Sequence, residues 1–249
     1  MSYFEKISKA DNLLITIGDS WTEGVGCYDP DTLDDFHKKK IDQQELYLRS
    51  RNDGSFSKGS WPYQLSNFLN CDLINLGAGG DANSSSAKRL IQDYHEVVSK
   101  KIQDYKKINL IWLLTSPDRF GFYSDNTIVN FLSTSPHQIV KNYFTEVNKN
   151  DLDNYLETAF YLRSVYWYCK ANKINFMYGS AFNTILPLNE VYNTEENFHN
   201  YISYDCVSKY LDDNNKRVWA HCGHPNSDGY YIIANKIFQI MNHNFEYML

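Results

Sequence analysis

Apolar, β-branched runs that end at small or polar residues recur along the chain, and each reads as a buried strand. They are Leu13–Ile17, stopping at Gly18; Asp72–Leu76, stopping at Gly77; Ile108–Leu114, stopping at Thr115-Ser116-Pro117; and Ile174–Tyr178, stopping at Gly179. The long stretches between them carry helical spacing instead. In Lys88–Lys106, the residues Leu90, Ile91, Tyr94, Val97, Val98, Ile102 and Tyr105 share one side, and Leu152–Ala171 and Ile232–Met241 carry similar stripes. Such alternation predicts parallel strands with helices on both faces, an α/β fold in one domain over residues 1–249.

Two connections exceed ordinary loop lengths. Tyr28–Ser60 is charged and polar and contains Lys38-Lys39-Lys40. This insertion, at about residues 28–60, reads either as solvated surface or as a lid beside a site. Phe120–Asn150 is the second such connection, and no linker separates two domains.

Composition narrows the partners. Of 249 residues, 43% are hydrophobic and 22% charged, with a net charge of −6. That apolar fraction excludes a disordered chain, and the length supports a self-sufficient core. Mild acidity argues against nucleic acid or a polybasic membrane surface as the main partner. The longest apolar run, Ile108–Leu114, contains Asn109 and is far too short for a membrane span. The cysteines Cys27, Cys71, Cys169, Cys206 and Cys222 are scattered, lack a C-x-x-C pair and form no disulfide framework. Met1–Asn12 has no apolar signal-peptide region, so a cytoplasmic location is expected. The 20 Tyr, 14 Phe and 5 Trp read either as groove-lining aromatics or as a by-product of AT-rich coding.

Candidate chemistry gathers at the C-terminal ends of the expected strands, the edge where open α/β sheets bind ligands. Gly18-Asp19-Ser20-Trp21-Thr22 follows the first strand. Ser20 there is either a helix cap or an exposed nucleophile. Asn75-Leu76-Gly77-Ala78-Gly79-Gly80-Asp81-Ala82-Asn83 follows the second. Its glycines serve either as a turn or as a close backbone approach to an anion, and the spacing matches no nucleotide-binding fingerprint. His221-Cys222-Gly223-His224-Pro225-Asn226-Ser227-Asp228-Gly229-Tyr230 precedes the last helix. His224 reads as a general base or as part of a capping loop. A metal site from His221, Cys222 and His224 lacks a fourth ligand at recognisable spacing, so no metal or cofactor is expected.

Taken in order, these three segments make the chain resemble the SGNH hydrolase family, also called GDSL esterases and lipases. Gly18-Asp19-Ser20 is similar to its nucleophile block, Asn75-x-Gly77-x-x-Gly80-Asp81 to its second block, and His224-Pro225-Asn226-x-x-Gly229-Tyr230 to its last. The resemblance covers roughly Leu13 to Met241 and implies a three-layer α/β/α domain with a mostly parallel, flavodoxin-like sheet. It implies an ester hydrolase in which Ser20 attacks, His224 is the base, and the backbone N–H groups of Ser20 and Gly80 form the oxyanion hole. The α/β-hydrolase alternative lacks a G-x-S-x-G elbow.

Two positions depart from the family pattern. The usual oxyanion asparagine after the third strand is replaced by Pro117, leaving Ser116, Asn83 or Arg119 as substitutes. Arg119 reads equally as an oxyanion donor or as an ion-pair partner of Asp118 or another acid. The usual acid three residues before the base is His221, which can orient His224 but supplies no negative charge. Asp228 or an acid from another loop is a substitute. The expected substrate is a small-molecule or glycan ester, with Trp21, Trp61 and Tyr63 as candidate sugar-facing aromatics. A non-catalytic binding or structural module on the same fold is the alternative. Oligomeric state is not set by the sequence.

Overall fold

The computed structural model describes residues 3–5, 11–27, 58–93, 95–124, 127–132, 151–182, 206–214, 218–219 and 224–245. In chain order the elements are β1 (Tyr3–Glu5), β2 (Asn12–Gly18), α1 (Ser20–Glu23), α2 (Trp61–Leu69), β3 (Asp72–Asn75), α3 (Asn83–Lys88), α4 (His95–Ile102), β4 (Lys107–Leu114), β5 (Arg119–Ser124), β6 (Thr127–Leu132), α5 (Asp151–Ala171), β7 (Asn175–Ser180), α6 (Val207–Asn214) and α7 (Ser227–Phe245).

The four expected strands are β2, β3, β4 and β7, and they form a parallel sheet. The full order is β1-β3-β2-β4-β7, with β1 added antiparallel at the β3 edge. Their alternation of side chains builds two cores. Leu13, Ile15 and Ile17 of β2 and Leu110, Trp112 and Leu114 of β4 face Ala87 of α3 and Ala159, Leu162 and Val165 of α5. Leu14, Leu73, Ile111 and Leu113 face Trp61 and Leu65 of α2, Leu211 of α6 and Ile233 and Ile237 of α7. Three layers result because every central strand is apolar on both sides.

Several expectations change. The helix expected over Lys88–Lys106 is broken: α3 passes through a π-helical turn at Arg89–Asp93 before α4. Arg89, where the pitch changes, forks onto both oxygens of Asp81 at 2.7 and 2.8 Å. The start of the Phe120–Asn150 connection is not a loop but belongs to the β5–β6 antiparallel pair. Residues 28–57, which hold almost all of the expected insertion or lid, lie outside the described residues. No described helix is long and apolar enough to cross a membrane.

This topology fixes where a ligand can sit. β2 leads onward to α2 on one face, and β4 to α5 on the other. The connections thus leave in opposite directions from these two neighbouring strands, the place at whose C-terminal ends open α/β sheets bind ligands.

Candidate active site

At the end of β2, Gly18 has φ +151°, and a Cβ there would stand 2.6 Å from the Leu113 carbonyl oxygen. Only glycine lets the chain turn so close to β4. Asp19 then caps α1, its Oδ1 accepting from the Trp21 amide at 3.0 Å. The next residue, Ser20, places its Oγ 2.8 Å from Nε2 of His224. That is hydrogen-bond reach for a hydroxyl donating to a neutral imidazole.

His224 is held on its own side. Pro225 pairs with Trp219, and the Asn226 amide donates to the Val218 carbonyl at 2.8 Å. Asn226 Oδ1 accepts from the Gly229 amide at 3.0 Å, capping α7. The Tyr230 hydroxyl donates to the Val25 carbonyl at 2.7 Å, tying the turn that carries His224 to the segment after Ser20.

The loop after β3 is organised by Asn75. Its Oδ1 accepts from the Thr16 hydroxyl at 3.1 Å and the Gly77 amide at 2.9 Å, while its Nδ2 donates to the Thr22 carbonyl at 2.8 Å. Gly77 runs against the backbone of α1, where a Cβ would stand 2.6 Å from the Thr22 carbonyl carbon. The Gly79 amide donates to Glu23 Oε2 at 2.5 Å. Gly80 follows with φ +80° and open space around its Cβ position. The backbone N–H groups of Ser20 and Gly80 donate to no group among the described residues.

The corner after β4 carries charge. Ser116–Arg119 is a turn closed by the Arg119 amide on the Ser116 carbonyl at 3.2 Å, with Pro117 inside it. Asp19 Oδ2 accepts from the Thr115 hydroxyl at 2.8 Å and from Arg119 Nη1 at 3.0 Å. All of these partners donate, the pattern that a carboxylate satisfies. Burial pushes the Asp19 carboxyl above its ordinary range, while Arg119, the Trp21 amide, the Thr115 hydroxyl and His224 pull it back. The Arg119 guanidinium also lies 5.5 Å from the Phe182 ring centroid, and Phe182 packs edge-on against Trp21 at 4.8 Å.

The structure thus brings Ser20 and His224 together, with Gly80 on the adjoining loop. Arg119 pairs with Asp19, an acid that local spacing did not single out. Asn83 requires a correction as an oxyanion donor. Its Nδ2 donates to the Thr115 carbonyl at 3.1 Å and to the Thr158 hydroxyl at 3.3 Å, and its Oδ1 accepts from the Thr115 amide at 2.9 Å. Both amide protons are spent, one on the end of β4 and one on α5. Trp21 and Trp61 are also corrected: at 1% and 0% exposure they are core residues and offer no face to a sugar. Tyr63 packs, half-buried, against the same core. Asp228 stands exposed in the first turn of α7. His221 and Cys222 lie outside the described residues.

No protein-family model matches the chain, and no curated protein matches it. Among solved structures, it is similar to the acetyl xylan esterase Est2A from Butyrivibrio proteoclasticus, with 11% identity and a TM-score of 0.54, covering 98% of this chain and 67% of that one. It is also similar to the acetylxylan esterase Axe2 from Geobacillus stearothermophilus, in a catalytic mutant form, with 12% identity and a TM-score of 0.48 over 95% and 96% of the two chains. A protein from Desulfitobacterium hafniense provisionally placed in the lipolytic G-D-S-L family aligns at 13% identity and a TM-score of 0.48, over 92% and 98%. The chain therefore shares its α/β fold with Est2A.

Proposed function

We propose that the chain is a serine ester hydrolase of the SGNH kind. The observation that carries this reading is the 2.8 Å approach of Ser20 Oγ to His224 Nε2. In the proposed reaction His224 takes the Ser20 proton as Oγ bonds to the ester carbonyl carbon. The carbonyl oxygen gains the negative charge and meets the N–H groups of Ser20 and Gly80. The leaving alcohol takes the proton back from the imidazolium. Water, deprotonated by His224, then attacks the acyl-enzyme, releasing the acid and regenerating Ser20.

The proposed substrate class is an acyl ester on a carbohydrate or another small molecule. Supporting it, Phe182 and Trp219 stand partly exposed against Trp21, the residue after Ser20, at ring distances of 4.8 and 5.6 Å. Aromatic faces of this kind pack well on sugars. Est2A, which shares the fold, is by its name an acetyl xylan esterase. Ser20→Ala is expected to lower p-nitrophenyl acetate turnover by at least about 10³-fold. Equal rates in the two proteins would remove Ser20 from the mechanism.

A second reading, a non-catalytic binding module, is favoured by the corner after β4, where Pro117 and the committed Asn83 leave the family's asparagine donor unreplaced by any amide. It requires that Ser20 resist a fluorophosphonate probe. Covalent labelling of Ser20 rejects it.

A further inference from the structure

We infer that Arg119 supplies the third oxyanion contact of this site and that Asp19 is its positioning residue. The inference rests on the serine-hydrolase reading above and assigns the donor that Pro117 and Asn83 cannot provide.

Geometry sets the guanidinium beside the nucleophile. Arg119 Nη1 stands 3.0 Å from Oδ2 of Asp19, the residue directly before Ser20 in the chain. The other Asp19 oxygen is fixed on the Trp21 amide, directly after Ser20. The Asp19 carboxylate therefore joins the guanidinium to the backbone on either side of Ser20. Phe182 fixes the guanidinium from a second direction. The arginine does not swing freely: a fully buried acid holds one edge and an aromatic ring covers it.

Among the described residues, most of the fork remains unspent. A guanidinium has five N–H donors. Only Nη1 makes a hydrogen bond among the described residues, and Nε is buried with no hydrogen-bond partner. A buried donor left without a partner is costly. The Arg119 side chain keeps 17% of its surface exposed, and there a carbonyl oxygen meets the remaining Nη donors, an interaction that strengthens as charge develops in the transition state. No proton moves to or from Arg119 in this step. It donates hydrogen bonds while the C–O bond to Ser20 forms, and its charge is balanced at rest by Asp19. An asparagine would give a neutral donor at this place; the arginine gives a charged one, held by a counter-ion that a neutral donor does not require.

The test compares wild type, Arg119→Gln, Asp19→Asn and the double variant, with folding followed by circular dichroism. The readouts are kcat and KM for p-nitrophenyl acetate and the rate at which a fluorophosphonate labels Ser20. Arg119→Gln is expected to lower kcat and labelling about 10²–10³-fold with KM little changed. The double variant removes both charges and leaves neither unpaired, yet stays slow, and added guanidinium ion partly restores its rate. A double variant as fast as wild type makes Arg119 merely the counter-ion of Asp19 and overturns the inference. Should Arg119→Gln fail to fold, the double variant, in which no buried charge is stranded, decides alone. A wild-type chain whose Ser20 takes no label overturns the hydrolase reading and this inference with it, whereas a labelled wild type beside a fast double variant overturns only the role of Arg119.

Discussion

The loops after β3 and β4 flank the segment that carries Ser20 and are held by opposite means. The β3 loop is neutral in its centre: Asn75 gathers three bonds, and glycines bring the backbone against α1. It leaves a backbone N–H, that of Gly80, directed at no protein group among the described residues. The β4 corner is held by a buried carboxylate, a hydroxyl and a guanidinium. Backbone donors demand close approach, so the first loop is sensitive to volume. Charged donors demand a counter-ion, so the second is sensitive to unpaired charge. An asparagine at one of these places and an arginine at the other are therefore not interchangeable solutions to holding a loop.

The sharpest break in this contrast comes from stranding a charge. Arg119→Met leaves Asp19, which is fully buried, without its cation and is expected to cost about 3–5 kcal/mol in urea denaturation. Pairing it with Asp19→Asn is expected to return most of that loss, since no buried charge is then unpaired. The β3 loop gives the volume test. Gly77→Ala drives a methyl into the Thr22 backbone and is expected to cost about 3 kcal/mol. Gly80→Ala meets open space and pays only for its positive φ, about 1–2 kcal/mol by the same measurement. Equal losses at Gly77 and Gly80 would show that conformation, not packing, governs this loop.

The smallest effect is a pH slope. Burial raises the Asp19 carboxyl above its ordinary range, so in the window above about pH 4 the folded chain holds a proton that the unfolded chain has lost. That contribution to stability is complete at lower pH and fades as pH rises through the raised folded value. Asp19→Asn is expected to flatten this fall in denaturation experiments; an unchanged slope would assign the titration to another group.

How much of this was legible follows from distance along the chain. The four parallel strands announce themselves as continuous apolar runs because both faces of each are buried. β1 is only three residues long, and no apolar run marks it. The π-helical turn at Arg89–Asp93 hides inside a sequence with uninterrupted helical spacing. Ser20, Gly80 and His224 were visible because each lies in a short local pattern of glycine, proline and polar residues. Arg119 was visible as a charge near the site, but its partner was not: Asp118 is next to it in sequence, whereas Asp19 lies 100 positions away. Trp21 misled for a geometric reason. One helical step rotates about 100°, so where Ser20 meets His224 its neighbour turns into the core. Asn83 carries the right chemistry, yet its amide is consumed by Thr115 and Thr158, contacts that no spacing rule exposes.

The proposed chemistry stands on Ser20 as nucleophile and His224 as base. Its most direct test is peptide mass spectrometry after a fluorophosphonate reaction, comparing wild type with His224→Ala. The expected result is a stoichiometric adduct on the Ser20 peptide of the wild type and at least about 10³-fold slower labelling without the imidazole. Absence of that adduct in the wild type, or an equal rate in both proteins, would contradict it.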